Sequence, residues 1–191
     1  MPHLLLKDLP RYECLLEAAK EFPDLDPSST EAYLHLLHTG DELAGAAERS
    51  LSRHTMSQGR FGVLMLLWHG GDPDGACAEG QGTPAPRTPA ELADAAGVTR
   101  ATMTGLIDTL ERDGLVKREP DPDDRRMMSV RLTARAEKFL NEFMPGHFKL
   151  ISELMSSLSE SERKTLVRLL GKIQDRVAAL RAESAALTSS T

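Results

Sequence analysis

Between Thr88 and Gly114 the chain specifies two short helices joined by one tight turn, and no other feature constrains the fold as strongly. Thr88-Pro89-Ala90-Glu91 combines an N-cap threonine, a proline at the first helical position and a glutamate at the third, ahead of Leu92, Ala93 and Ala96. Gly97 tolerates the left-handed backbone of a helix end, and Val98-Thr99 then opens a second helix from Arg100 to Asp113. Met103, Leu106, Ile107 and Leu110 share one face of it, and Gly114 closes it. Two helices in so tight a turn form a helix-turn-helix. After Gly114 the apolar period falls to two. Leu115 and Val116, then Met128, Val130 and Leu132 past a turn, alternate with polar residues, which predicts a hairpin. Its turn, from Pro120 to Arg126, is highly charged, and a charged hairpin directly after the second helix reads as a wing.

The flanks are helical. Pro27 interrupts what precedes it, and Ser28 with Glu31 has capping-box spacing, so a helix is expected from there to about His54, with Leu34, Leu37, Leu43, Ala47 and Leu51 on its apolar stripe. Ser57 suits an N-cap for Gln58 to His69, which is apolar nearly all round and belongs in a core. Residues 70–87 are dense in Gly and Pro without a periodic apolar face and read as a flexible loop. From Thr133 helix resumes through Phe139, Leu140, Phe143, Leu150, Ile151 and Leu154, with Pro145-Gly146 marking a kink or break. Ser159 and Glu162 cap a last helix carrying Leu166, Leu169, Leu170, Ile173 and Val177, and residues 182–191 read as a disordered tail.

The expected fold class is therefore mostly α with a small β-hairpin wing. A winged helix-turn-helix at 88–132 is flanked by helical regions at 30–69 and 133–181, and residues 1–29 form an N-terminal extension. The stripes on the first and last of these helices exceed what a compact lobe can bury, which predicts a homodimer; an intrachain helical core is the alternative. Leu4, Leu5, Leu6, Leu15 and Leu16 suggest that the extension packs on that dimer.

The chain has 191 residues and a formal charge of −6, which looks adverse for a nucleic-acid binder. The acid is uneven, however: residues 1–30 hold three basic and six acidic side chains, whereas Val98 to Arg135 hold eight basic and seven acidic. Only the local field at a docking surface matters for phosphate contact, so the charge permits DNA binding without requiring it. No run of about 18 apolar residues suggests a membrane span, and no signal peptide is apparent, which places the protein in the cytoplasm. Cys14 and Cys77 lie far apart without metal-ligand spacing and read as reduced thiols. No nucleophile elbow, phosphate loop, metal cluster or paired-carboxylate pattern supports an enzyme, and no cofactor is expected.

Residues 88–133, TPAELADAAGVTRATMTGLIDTLERDGLVKREPDPDDRRMMSVRLT, resemble the multiple-antibiotic-resistance regulator (MarR) family, and the likeness extends over about Thr30 to Arg181. The long N-terminal extension and the Gly/Pro insert depart from the common pattern. The resemblance implies a transcriptional regulator, in the commoner case a repressor, that binds double-stranded operator DNA and is released by a small ligand. In the major groove, the first turn of a recognition helix reads base edges, which nominates Thr99, Arg100, Thr102 and Thr104. For the threonines the alternative is plain helix capping and solvation. Arg125 and Arg126 at the wing suit a narrow, electronegative minor groove, with Asp124 supporting Arg126; the alternative is a solvated charged turn.

Family members commonly bind aromatic or phenolic acids between the dimerisation helices and the winged domain. Here His35 and His38 lie one turn apart, and Arg60 interrupts an apolar helix, a set that fits an aromatic carboxylate paired to the guanidinium. The alternative puts the histidines at a dimer interface and Arg60 at a solvated helix start. Two rival functions follow from the same residues: a winged helix used for protein contact, and a redox-sensing regulator using Cys14, whose acidic neighbours Glu13 and Glu17 disfavour a reactive thiolate.

Overall fold

Pro27, which lacks a backbone N–H, starts the longest helix of the N-terminal half, and the residue before it caps that helix. In the computed structural model, which describes residues 9–68, 86–120 and 127–188, this helix is α2 (Pro27–Ser52). The Asp26 carboxylate accepts from the backbone N–H groups of Ser28 at 2.9 Å and Ser29 at 3.2 Å and from both serine hydroxyls. Ser28 is therefore a donor to the cap and not the cap itself, which corrects the sequence expectation. Proline fits the first helical position because its missing N–H would have no helical partner, and a charged acceptor suits the positive helix end. The N-terminal extension holds a further helix, α1 (Tyr12–Glu21), which lies against α2 and buries Leu15. The third helix, α3 (Gln58–Trp68), has Ser57 accepting from the Arg60 N–H at 3.4 Å and Glu48 of α2 accepting from the Gln58 N–H at 3.1 Å. Phe61, Val63, Leu64 and Leu67 are buried, as an all-round apolar helix requires.

The two short helices follow as α4 (Pro89–Ala96) and α5 (Arg100–Arg112). Thr88 and Glu91 form a reciprocal capping box: the Glu91 N–H donates to the Thr88 hydroxyl oxygen at 3.2 Å, and the Thr88 N–H donates to the Glu91 carboxylate at 2.7 Å. Gly97 ends α4 at φ 63°, and Gly114 follows α5 at φ 70°. Leu92, Met103, Ile107 and Leu110 are completely buried, whereas Leu106 is only half-buried. Each fully buried side chain of this size contributes about 1.5–3 kcal/mol of transfer free energy.

The hairpin pairs β1 (Val116–Pro120) with β2 (Met128–Leu132) in antiparallel register, Val116 opposite Leu132 and Pro120 opposite Met128. Val130 is fully buried, but Met128 is exposed and Ser129 is buried, so the expected alternation fails at the start of β2. Arg87 forms a backbone bridge to Val130, with N–H to O distances of 3.2 and 2.8 Å. Arg87 thus belongs to the sheet and not to the loop expected over residues 70–87, of which 70–85 lie outside the described residues.

The first of two compact units ends at Phe143, and the second starts at Met144. Helix α6 (Ala134–Leu154) runs through Pro145 without a break, correcting one of the two outcomes expected there. In its first half Phe139 and Phe143 stack at 5.5 Å, and Phe61 and His54 meet Phe143 edge-on at 5.3 and 5.2 Å. Helix α7 (Glu160–Thr188) begins at the expected Ser159–Glu162 box and continues well past residue 181. The expected disordered tail is helical as far as Thr188, because Ala, Glu and Leu make up most of residues 182–188 and all favour helix. Among the described residues no helix is long and apolar enough to cross a membrane.

Candidate nucleic-acid interface

The first turn of α5 is exposed and polar because the residues that bury its opposite face begin at Met103. Thr99 is the N-cap in extended conformation, and its hydroxyl oxygen accepts from the Thr102 N–H at 3.1 Å. The Thr99 and Thr102 hydroxyls lie 2.9 Å apart, and the Thr104 hydroxyl donates to the Arg100 carbonyl at 2.9 Å. All three threonines therefore serve the helix locally, which is the plainer of the two roles expected for them. Their exposed oxygens keep spare lone pairs for a further partner. Arg100 differs. It is exposed, and its guanidinium has no ion-pair or hydrogen-bond partner among the described residues. It projects a free cation from the positive end of a helix dipole.

On the hairpin that follows, the described cations are neutralised. Lys117 pairs with Glu119 at 2.5 Å, and Arg131 reaches the same carboxylate at 3.3 Å. The hydrogen bond from Lys117 holds the Glu119 carboxyl below its usual range. Arg118 reaches back from β1 to Asp108 and Glu111 of α5, and its own N–H donates to Glu111 at 3.1 Å. The Asp108 hydrogen bond raises the Arg118 pKa further above its ordinary value. Arg87, Arg100, Arg112 and Arg135 remain without a side-chain partner among the described residues. Asp124, Arg125 and Arg126, expected at the wing tip, lie outside the described residues, as does Cys77.

The expected effector residues are not joined to one another by any hydrogen bond or ion pair among the described residues. His35 is exposed on α2; His38, one turn later, is half-buried with a buried Nδ1 that has no partner there. Arg60 is occupied: one guanidinium nitrogen pairs with Asp113, another donates to the Thr55 carbonyl at 3.0 Å, and its Nε is buried without a partner. Sequence reasoning missed Asp113 as the partner of Arg60, since no spacing rule connects residues 53 positions apart. Cys14 is a free, exposed thiol on α1. No group of three His, Cys, Asp or Glu placed to hold a metal occurs among the described residues.

Comparison with known proteins bears on this geometry. The MarR family model matches residues 83–128. The HTH-type transcriptional repressor YetL of Bacillus subtilis (strain 168) is 34% identical over 172 residues, 90% of this chain and 96% of that protein. Among solved structures, a mutant MarR from E. coli complexed with operator DNA has a TM-score of 0.59 at 27% identity, covering 73% of this chain and 91% of that one. Bordetella bronchiseptica BpsR, described for the regulation of its DNA binding by 6-hydroxynicotinic acid, has a TM-score of 0.57 at 23% identity, covering 74% and 91%. The mostly helical architecture with its two-stranded hairpin is that of these winged-helix structures. The chain belongs to the MarR family of transcriptional regulators.

Proposed function

We propose that the protein is a cytoplasmic, ligand-responsive repressor that binds a pseudo-palindromic operator as a homodimer. Its α5 helix would enter the major groove, Arg100 reading a base edge with Thr99, Thr102 and Thr104 beside it. Arg125 and Arg126, with Asp124 in support, would reach the adjacent minor groove. The observation that carries the reading is the exposed first turn of α5, where Arg100 is unpaired while Lys117, Arg118 and Arg131 are held by carboxylates. A free guanidinium can bond guanine bidentately, whereas a paired one must first lose its partner. The operator complex of the E. coli MarR supports the DNA partner, and the repressor name of YetL supports the sign of regulation.

The effector is proposed to be a small aromatic carboxylate or phenol, and the regulated genes those of aromatic catabolism or efflux. The regulation of BpsR by 6-hydroxynicotinic acid, a hydroxylated aromatic acid, supports that chemistry. Near His35, His38 and Arg60, such a ligand would have to compete with Asp113 for the guanidinium. The test is selection of duplexes from a random-sequence pool, followed by titration at several salt concentrations. Arg100→Ala is expected to weaken the selected duplex about tenfold or more, the loss of one base contact, and the parent is expected to show a steep salt slope. A parent that selects no duplex would favour use of the winged helix for protein contact. Aromatic acids are then screened for release of the selected duplex; a complete lack of response across hydroxylated benzoic and nicotinic acids rejects the effector class.

A further inference from the structure

Arg60 joins three elements that carry different parts of the fold. Its guanidinium donates to the carbonyl of Thr55, in the turn between α2 and α3, and pairs with Asp113, the C-cap residue of α5. Thr55 adopts φ 56°, a left-handed conformation unfavourable for a residue with a Cβ, so this turn is held in an unusual shape where its carbonyl meets Arg60. The arginine side chain is 14% exposed and the aspartate 39%, so solvent screens the pair mainly from the Asp113 side. About two helical turns before Asp113 a second close approach occurs. A Cβ placed at Gly59 of α3 would lie 3.3 Å from the Leu106 side chain of α5, so the two helices nearly touch there.

These two attachments add to the Arg118 fork and to the buried Met103, Ile107 and Leu110 in fixing the direction of α5. The Leu106 contact holds the middle of α5, and the Asp113 pair holds its end. With the Asp113 end released, α5 could pivot about the Leu106 contact, from which Arg100 lies about 9 Å away at roughly 1.5 Å per residue. A tilt of about 6° over that lever displaces the first turn by about 1 Å, enough to spoil a bidentate contact whose hydrogen bonds tolerate only a few tenths of an ångström. We propose that the Arg60–Asp113 ion pair is a latch that sets the angle at which α5 meets DNA, making both residues positioning residues for sequence-specific binding. The latch rests on the DNA-binding reading above, and neither residue needs to touch DNA.

The experiment compares the full chain with Asp113→Asn, Arg60→Gln and the double variant. Affinity is measured for a duplex selected by the parent and for a scrambled duplex, alongside thermal unfolding. Asp113→Asn leaves the last turn of α5 helical, because the cap there is made by the backbone N–H to the Thr109 and Glu111 carbonyls and not by the carboxylate. Each single variant is expected to lose about tenfold affinity for the selected duplex with the salt slope and the scrambled-duplex affinity unchanged, and the double variant to lose no more than either single. Unchanged affinity for the selected duplex overturns the latch. So does an equal fall for both duplexes that tracks a lowered Tm, because that pattern marks a purely structural role. Additive losses in the double variant also overturn it. If the parent selects no duplex at all, the DNA-binding reading fails and the latch with it, an outcome distinct from the others.

Discussion

Arg118 shows how one side chain can join α5 to the hairpin that follows it. Its backbone N–H faces Glu111 at the free edge of β1, and its guanidinium spans Asp108 and Glu111, two carboxylates three residues apart on α5. Isolated exposed pairs such as Lys164–Glu160 contribute about 0.5 kcal/mol or less, because solvent screens them and long side chains must be ordered. The Arg118 side chain is 26% exposed and forms a fork on two acceptors, so a larger effect is expected. Arg118→Gln should lower stability by about 1–2 kcal/mol, with the deficit shrinking as salt is raised. Thermal unfolding at low and high salt measures it, and a deficit independent of salt would assign the effect to packing instead. Neither this fork nor the Arg60–Asp113 pair was legible in the sequence. Each joins residues that only tertiary packing brings together, whereas the place of Arg100 at the start of α5, directly after the Thr99 N-cap, could be read from the sequence.

At the scale of elements, the signals that could be read were local ones. The Thr88–Glu91 and Ser159–Glu162 boxes lie within one helical turn, and Gly97 and Gly114 supply their own positive φ, so all four appear where the residues predict. Helix α1 carried no such signal. Arg11 makes no side-chain cap bond, and this short helix depends on burying Leu15. The start of α2 offered two acceptors, Asp26 and Ser28, and the ionised one won. This has a pH consequence. Hydrogen bonds from Ser28 and Ser29 lower the Asp26 pKa, and those from Ser159 lower that of Glu162. A carboxyl with a lowered folded pKa adds stability that is full above its unfolded value, about 4, and is lost as pH falls through the lowered folded value. Relative to the intrinsic rate at each pH, hydrogen exchange at the Ser28, Ser29 and Ser159 amides, which donate to these carboxylates, should therefore quicken below the ordinary carboxylate range before the core amides respond. Asp26→Ala should produce the faster exchange at Ser28 and Ser29 already at neutral pH. Equal protection of these amides in the parent and in Asp26→Ala would show that the carboxylate is dispensable to the start of α2.

At the scale of the whole molecule, the proposed homodimer must account for α7. Leu166, Leu169, Ile173, Val177 and Leu180 recur at three- and four-residue spacing and are each about two-fifths to one-half exposed in the single chain. So long an apolar stripe on one helix is costly in water, and a second copy of the same helix can cover it, since a two-fold axis brings identical stripes together. Such a dimer also gives the molecule two reading helices, and two linked contacts can exceed one by about a hundredfold or more in affinity without any new base contact. Leu169→Glu combined with Ile173→Glu places charge in the middle of the stripe without adding a helix breaker. The variant is expected to sediment as a monomer at micromolar concentration and to keep its helical circular dichroism. Its affinity for a duplex selected by the parent should fall by about a hundredfold. Retained dimerisation with both glutamates in place would show that α7 is not the interface, and a monomer with undiminished affinity would show that one reading helix suffices.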